Sequence, residues 1–308
     1  MWTFCIVLLV FSHLHEFGVD AIIDDNAIYN QQIKTVTIPD TPQNCLFVSS
    51  ETGYFTYKST SNRTTTCGIY FVTSSRNLIE IAFTQFDVPC NKNRGVGGLV
   101  QYRDGWELKR EVFPSEEGLS KYSTEETEFC SDNKPLHKTF VSSQNGAQIS
   151  YRIPHIGKGF TIFVDHKKHP SPCNIIHFDE PYYLLQNHGQ KRNCSIWASY
   201  PTAVQFNSFN IGNRNSRTSN ILQCAHAADH IEIGGGHLDP NRIEILNFIC
   251  SKAEANVFHE DLINCPSSTI KLVSSGNHDN RVNISMRPVD ASVDKITNAK
   301  YSCISSTK

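Results

Sequence analysis

Ten cysteines lie beyond residue 21, and eight of them form two matching sets of four. Cys45, Cys67, Cys90 and Cys130 are spaced by 22, 23 and 40 residues; Cys173, Cys194, Cys224 and Cys250 by 21, 30 and 26. An even count at repeated spacing, behind a hydrophobic N-terminus, points to disulfides formed in an oxidising compartment rather than to a redox or zinc centre. The expected fold class is all-β, as two tandem disulfide-bonded β-sandwich modules. Scaffolds of this kind bind far more often than they catalyse.

The chain opens with an almost unbroken apolar run from Trp2 to Phe11, and Val19 and Ala21 fit a cleavage site. That length suits a secretory leader over residues 1–21 and falls well short of a membrane span. No later stretch reaches the ~18 apolar residues a transmembrane helix needs, so a soluble, secreted product without membrane insertion is expected. Removing the leader leaves 28 acidic against 28 basic residues. A balanced surface argues against nucleic acid or anionic membrane as main partner, because both select a basic excess. Sequons at Asn62, Asn193 and Asn283 are then candidate glycan sites on the surface.

Past a polar lead-in at 22–42, β-branched and aromatic residues alternate with polar ones. Ile79, Ile81 and Phe83 do so, as do Ile149, Tyr151 and Ile153, then Phe160, Ile162 and Val164. Ile231 and Ile233, Ile243 and Ile245, Ile270 and Leu272, and Val282, Ile284 and Met286 continue the pattern. A period of two marks strands with one buried face. Turns are expected at Gly157–Gly159, Gly234–Gly236 and Gly276–Asn280. The stretch Gly98–Gly105 follows Cys90 much as Asp229–Gly236 follows Cys224. Likewise, a Val-Ser-Ser stretch after Phe140 and another after Leu272 each precede a strand, which reads as duplication. The modules are expected at 43–168 and 169–290, with a tail at 291–308.

Eight cysteines permit 105 pairings. If each module satisfies its own four, nearest-neighbour pairing gives 45–67, 90–130, 173–194 and 224–250. Cys265 and Cys303 are left to tie the tail to the second module.

Catalytic signals are missing. The sequence contains neither HExxH nor GxSxG, and Gly234–Gly236 lacks the Lys-Ser/Thr of a phosphate loop. His226 and His230, placed on one strand, stand about 13 Å apart, too far to share an ion with His237 nearby. Asp229 and Glu232 follow the third cysteine of the second set without further acidic ligands in view for calcium, and the first module offers Gly98 at the matching place. No enzyme activity, metal or cofactor is expected.

The cysteine framework resembles the CUB domain, an extracellular β-sandwich. The stretches Asp104–Ser115 (DGWELKREVFPS), Ser142–Asn145, Pro172–Ile176, Asn193–Ser195, Leu238–Pro240 and Val273–His278 resemble the corticotropin-releasing factor-binding protein family, in order, over nearly the whole mature chain. That resemblance implies two CUB-like domains, five consecutive disulfides, and a glycan at Asn193. It implies a secreted protein that sequesters an amphipathic helical neuropeptide of the corticotropin-releasing-factor, urocortin or diuretic-hormone type and limits receptor activation. The alternative is a CUB-type module for protein or glycan interaction. In vertebrate members an arginine four residues before the first cysteine and an aspartate two after it are implicated in ligand binding. Thr41 and Phe47 occupy those positions here. Phe47, with Leu46 and Val48, can line a groove or form the first core strand.

Overall fold

Period-two burial produces the architecture. The computed structural model describes residues 33–41, 45–90, 96–115, 127–212, 224–253, 260–290 and 299–304. The leader, most of the lead-in and tail residues 291–298 and 305–308 lie outside them. From Lys34 onward the chain forms one compact unit. All of its extended elements are strands, and α-helical backbone among the described residues is confined to Thr127, Cys224 and Ala225.

The first half supplies β1 (Thr35–Thr37), β2 (Leu46–Ser49), β3 (Gly53–Lys58), β4 (Cys67–Val72), β5 (Asn77–Asp87), β6 (Leu99–Asp104), β7 (Trp106–Leu108), β8 (Glu111–Phe113), β9 (Glu128–Phe129), β10 (Thr139–Val141), β11 (Gly146–Arg152) and β12 (Gly159–Lys168). The second supplies β13 (Asn174–Ile176), β14 (Tyr182–Gln186), β15 (Cys194–Ala198), β16 (Thr202–Ile211), β17 (His230–Gly235), β18 (Glu244–Ile249), β19 (Ser251–Ala253), β20 (Asp261–Asn264), β21 (Ser268–Val273), β22 (Arg281–Pro288) and β23 (Tyr301–Ser302).

Two sandwiches result. In the first, the sheet β1-β3-β12-β5-β10 packs on β2-β4-β11-β6-β9; in the second, β13-β15-β21-β17-β18 packs on β14-β22-β16-β20-β23. Each encloses its own core. Phe55, Ile69, Ile81, Ile149 and Ile162 sit at the centre of one, and Leu185, Ile196, Ile233, Ile270 and Ile284 at the centre of the other.

The two halves repeat down to their irregularities. In β5 the pairing with β12 slips at Thr84, so Phe83 and Phe86 both face inward although they differ in parity. In β16 the pairing with β22 slips at Asn207, and Phe206 and Phe209 are both buried. The same bulge therefore recurs on the corresponding central strand.

The lead-in is part of the first sandwich from Lys34 onward. β1 adds to β3 in parallel, and Ile38 enters the core at 2% exposure. Disulfides join Cys45–Cys67, Cys90–Cys130, Cys173–Cys194, Cys224–Cys250 and Cys265–Cys303, each a pair of consecutive cysteines. The last holds β23 against β20, to which it runs parallel.

Four local expectations are corrected. Gly234 and Gly235 belong to β17 rather than to a turn; a Cβ on either would lie about 2 Å from the carbonyl oxygens of Glu244 or Ser267, so close backbone approach selects glycine. Only Gly236, at φ +87°, makes the bend. Ile245 does not share the buried face of Ile243 but is 42% exposed, on a strand whose register with β17 shifts at Ile233/Gly234. The two Val-Ser-Ser stretches are not equivalent. The first lies before β11, whereas the second closes β21, the topological partner of β11, and leads into β22. His226 lies in a turn ahead of β17, not on a strand with His230.

Candidate functional site

A rigid seam joins the sandwiches, and it sets the surfaces on either side. The hairpin β7–β8 leaves the first module and lays Trp106 and Phe113 on the second, where Ile176, Trp197 and Leu238 complete an apolar cluster with Tyr70 and Val72. The two indoles meet edge to face with ring centroids 6.2 Å apart. Both indole N–H groups are satisfied: Trp106 donates to Phe71 O at 2.9 Å and Trp197 to His237 O at 3.1 Å.

Polar contacts fix the register of this contact. Asn145, 2% exposed, donates from Nδ2 to Ile176 O (2.8 Å) and Thr73 O (2.9 Å), and accepts from Ile176 N (2.9 Å). Its neighbour Gln144 accepts from the amides of Cys173 and Asn174, each at 3.1 Å. Gly146 follows because a Cβ there would stand 2.4 Å from the Ile176 side chain.

Glu111 on β8 adds a charged contact. Its carboxylate accepts from Leu238 N at 2.7 Å, lies 2.6 Å from the His237 ring Nδ1, and sits 3.3 Å from Arg242. Burial works against its charge. The bonds from His237 and Leu238 and the charge of Arg242 nevertheless bring the carboxyl below its usual range.

Against this frame, Thr41 is exposed where the lead-in leaves the sandwich. Asp40 anchors the chain just before it. It accepts from Thr60 N (2.6 Å), Thr60 Oγ1 (2.8 Å) and Tyr57 OH (3.0 Å), and pairs with Arg63 at 2.9 Å. Sequence reasoning missed Asp40, because its partners lie about twenty residues away and no local pattern announces them. Phe47 is half-buried and packs on the first core, while Leu46 and Val48 point outward at 54% and 45% exposure. Asn62, Asn193 and Asn283 all reach solvent.

A second exposed apolar strand is β14, with Tyr182 and Leu184 outward and Tyr183 and Leu185 in the core. Beside it runs a groove of about 250 Å³ at the junction of the modules, lined by Tyr182, Leu184 and Gln186 on one side and by Ser75, Arg76 and His169 on the other. Sequence reasoning missed this strand as well, although Tyr-Tyr-Leu-Leu-Gln carries the signal of one apolar residue for each face.

The residues considered for metals serve the fold. Asp229 accepts from Ser275 N, Ser275 Oγ and Asn280 Nδ2 at 2.8–2.9 Å. Glu232 pairs with Lys271 at 3.1 Å and lies 3.4 Å from the His230 ring. His237 belongs to the seam. Among the described residues no three His, Cys, Asp or Glu side chains group as metal ligands.

Comparison with known proteins covers both sandwiches. Residues 38–169 match the corticotropin-releasing factor binding protein N-terminal domain, and residues 178–294 match the C-terminal domain of the same family. The chain is 31% identical to the corticotropin-releasing factor-binding protein of Ovis aries over 80% of this chain and 75% of that one. It is 30% identical to that of Homo sapiens over 80% and 76%, and 26% identical to that of Xenopus laevis over 94% and 93%. Among solved structures it is similar to the CUB1-EGF-CUB2 domains of rat MASP-1, with 10% identity and a TM-score of 0.28 over 79% of this chain and 99% of that one. A global match that weak carries no functional argument. The matches to both halves, in order, and the relatives at 30% identity or above show that this chain belongs to the corticotropin-releasing factor-binding protein family.

Proposed function

We propose that this protein is a secreted binding protein for a corticotropin-releasing-factor-like peptide and acts by keeping the peptide from its receptor. The observation that carries the reading is family membership over both modules, which the relatives share under the name of corticotropin-releasing factor-binding protein. The disulfide-rich fold fits an extracellular location.

The physics of the scaffold supports it. A hormone that orders on a surface incurs its conformational cost on binding. A receptor site that is already rigid adds little cost of its own. Here five disulfides and a seam of buried indoles and a clamped backbone supply that rigidity. An amphipathic helix docks by laying apolar side chains on such a surface. Sequestration then requires tight binding and slow release, and no reacting group. Thr41 and Phe47 carry no charge, so in this reading the contact does not depend on a charge pair at those two positions.

The test is a receptor assay. Cells bearing a receptor for corticotropin-releasing factor are given the peptide with increasing amounts of the protein. The expected result is a stoichiometric rightward shift of the response curve. An unshifted curve at a large excess of protein contradicts sequestration.

A further inference from the structure

The groove beside β14 has a filled counterpart in the first module. There β3 lies beside β12 as β14 lies beside β22. The outer edge of β3 is taken by β1: Tyr54 N donates to Lys34 O and Ile38 N to Thr56 O, each at 2.9 Å. No described strand covers β14 in this way.

Backbone parity shows that the β14 edge is open. Met286 N donates to Pro181 O at 3.0 Å and Asn187 N to Asn280 O at 3.3 Å. In an antiparallel ladder alternate residues face the partner, so 181, 183, 185 and 187 face β22. The N–H and C=O groups of Tyr182, Leu184 and Gln186 therefore point to the other side. Those three residues line the 250 Å³ groove. In β3 the same parity holds: Ser59 N donates to Lys158 O at 2.8 Å toward β12, while Tyr54 and Thr56 face β1.

The groove's chemistry selects its occupant. Tyr182 and Leu184 are exposed by 71% and 45%, so the strand offers apolar contact along one face. Across the groove Arg76 is exposed and has no carboxylate partner among the described residues. His169 and His188 also line it. Burial first, and then the nearby charge of Arg192, hold both imidazoles below their usual range. Glu180, on the same rim, is engaged by Ser75 N at 3.1 Å.

The geometry points to the outer edge of β14 as the place where an extended, acidic stretch of the peptide ligand adds to the sheet as a strand, as β1 does on β3. Apolar side chains of that stretch lie on Tyr182 and Leu184, and its carboxylates face Arg76. Edge addition supplies affinity through main-chain bonds and selectivity through alternate side chains. The inference rests on the peptide-binding reading and adds its location.

Hydrogen exchange on the full glycoprotein, with and without corticotropin-releasing factor, tests it. The amides of Tyr182, Leu184 and Gln186 are expected to exchange freely alone and to slow by roughly tenfold or more in the complex. A pair of variants gives a second readout. Leu184→Pro deletes an amide that takes no part in the β22 ladder, a position where an edge strand tolerates proline. It is expected to weaken binding by about tenfold beyond the loss caused by Leu184→Ala, which keeps the amide and removes only the apolar contact. If Leu184→Pro fails to fold, exchange in the unaltered protein decides. Tight peptide binding with unchanged exchange at these amides and an unaffected Leu184→Pro overturns the site and leaves the peptide-binding reading standing. Protection that grows with protein concentration without peptide assigns the edge to a second copy and overturns it too. Absence of any peptide binding removes both readings together.

Discussion

Asn145 holds Ile176 by both of its backbone groups, accepting from the amide at 2.9 Å and donating to the carbonyl at 2.8 Å. One side chain of the first module thus completes a β-type pairing with a strand of the second. The pair turns two sandwiches on a short linker into a single body, and the surfaces that flank the linker inherit that rigidity.

Removing the clamp leaves three buried backbone groups without partners: Ile176 N, Ile176 O and Thr73 O. Each such group costs about 1–3 kcal/mol. Asn145→Ala is expected to destabilise the protein by about 3 kcal/mol or more and to speed proteolysis at the linker around Pro170. Chemical denaturation and timed digestion measure the two effects.

The tryptophans offer a direct report on the same seam. The chain contains three, Trp2 near the N-terminus and Trp106 and Trp197 in the apolar cluster. In a protein prepared without residues 1–21, tryptophan fluorescence arises from the seam alone. Trp197→Phe keeps one aromatic ring but loses the second ring and the bond to His237 O, a cost of about 1–2 kcal/mol. Trp197→Ala is expected to cost about 3–5 kcal/mol. Denaturant titrations followed by circular dichroism separate these values.

Much of this architecture is legible in the sequence, because its causes are local. Alternation along Ile79–Phe83 and along Ile149–Ile153 states which face is buried, and matched cysteine spacings state that the unit is repeated. The failures share a physical origin. The burial of Phe86 accompanies a bulge, which shifts parity without any mark in the pattern, and Ile243 lies ahead of β18, so it sets no strand parity for Ile245. Asn145, Glu111 and Trp197 owe their roles to partners 31, 126 and 40 residues away. The open edge of β14 depends on a strand that the first module has and that the second lacks among the described residues, and only topology reveals that difference. Thr41 and Phe47 were singled out by resemblance; their neighbours Leu46 and Val48 present the apolar surface.

Two groups shifted by desolvation oppose each other in mild acid. Burial pushes the Asp104 carboxyl up to about 6 from its usual 3.8, with Ser143 bonding to the charged form in part compensation. Its contribution to stability is present below pH 3.8 and lost as pH rises through 6. Burial holds the His177 ring down to about 4 from 6.5, against the pull of Asp179. The His177 contribution is present above pH 6.5 and lost as pH falls toward 4. Between pH 4 and 6 the two trends offset. Asp104→Asn is therefore expected to raise Tm at pH 7 by about 2–4 °C and to expose a decline with acid that the parent protein masks. Melting curves at half-unit pH steps, compared with the parent, measure the difference.

The disulfide between Cys265 and Cys303 stands apart from the repeat and closes a loop with a separation of 38 residues. Tyr301, buried at 6% exposure, accepts from Asn247 Nδ2 at 2.8 Å and caps the second core. Replacing both cysteines with alanine is expected to cost about 3–4 kcal/mol on the chain-entropy model. The first module should keep its own unfolding transition, which calorimetry resolves.

Calorimetric titration of the protein with corticotropin-releasing factor bears most directly on the function. The account expects saturable binding at one peptide per chain with a Kd tighter than about 1 µM. Heats that stay at the level of dilution up to roughly 10 µM peptide, with the five disulfides intact, would contradict it.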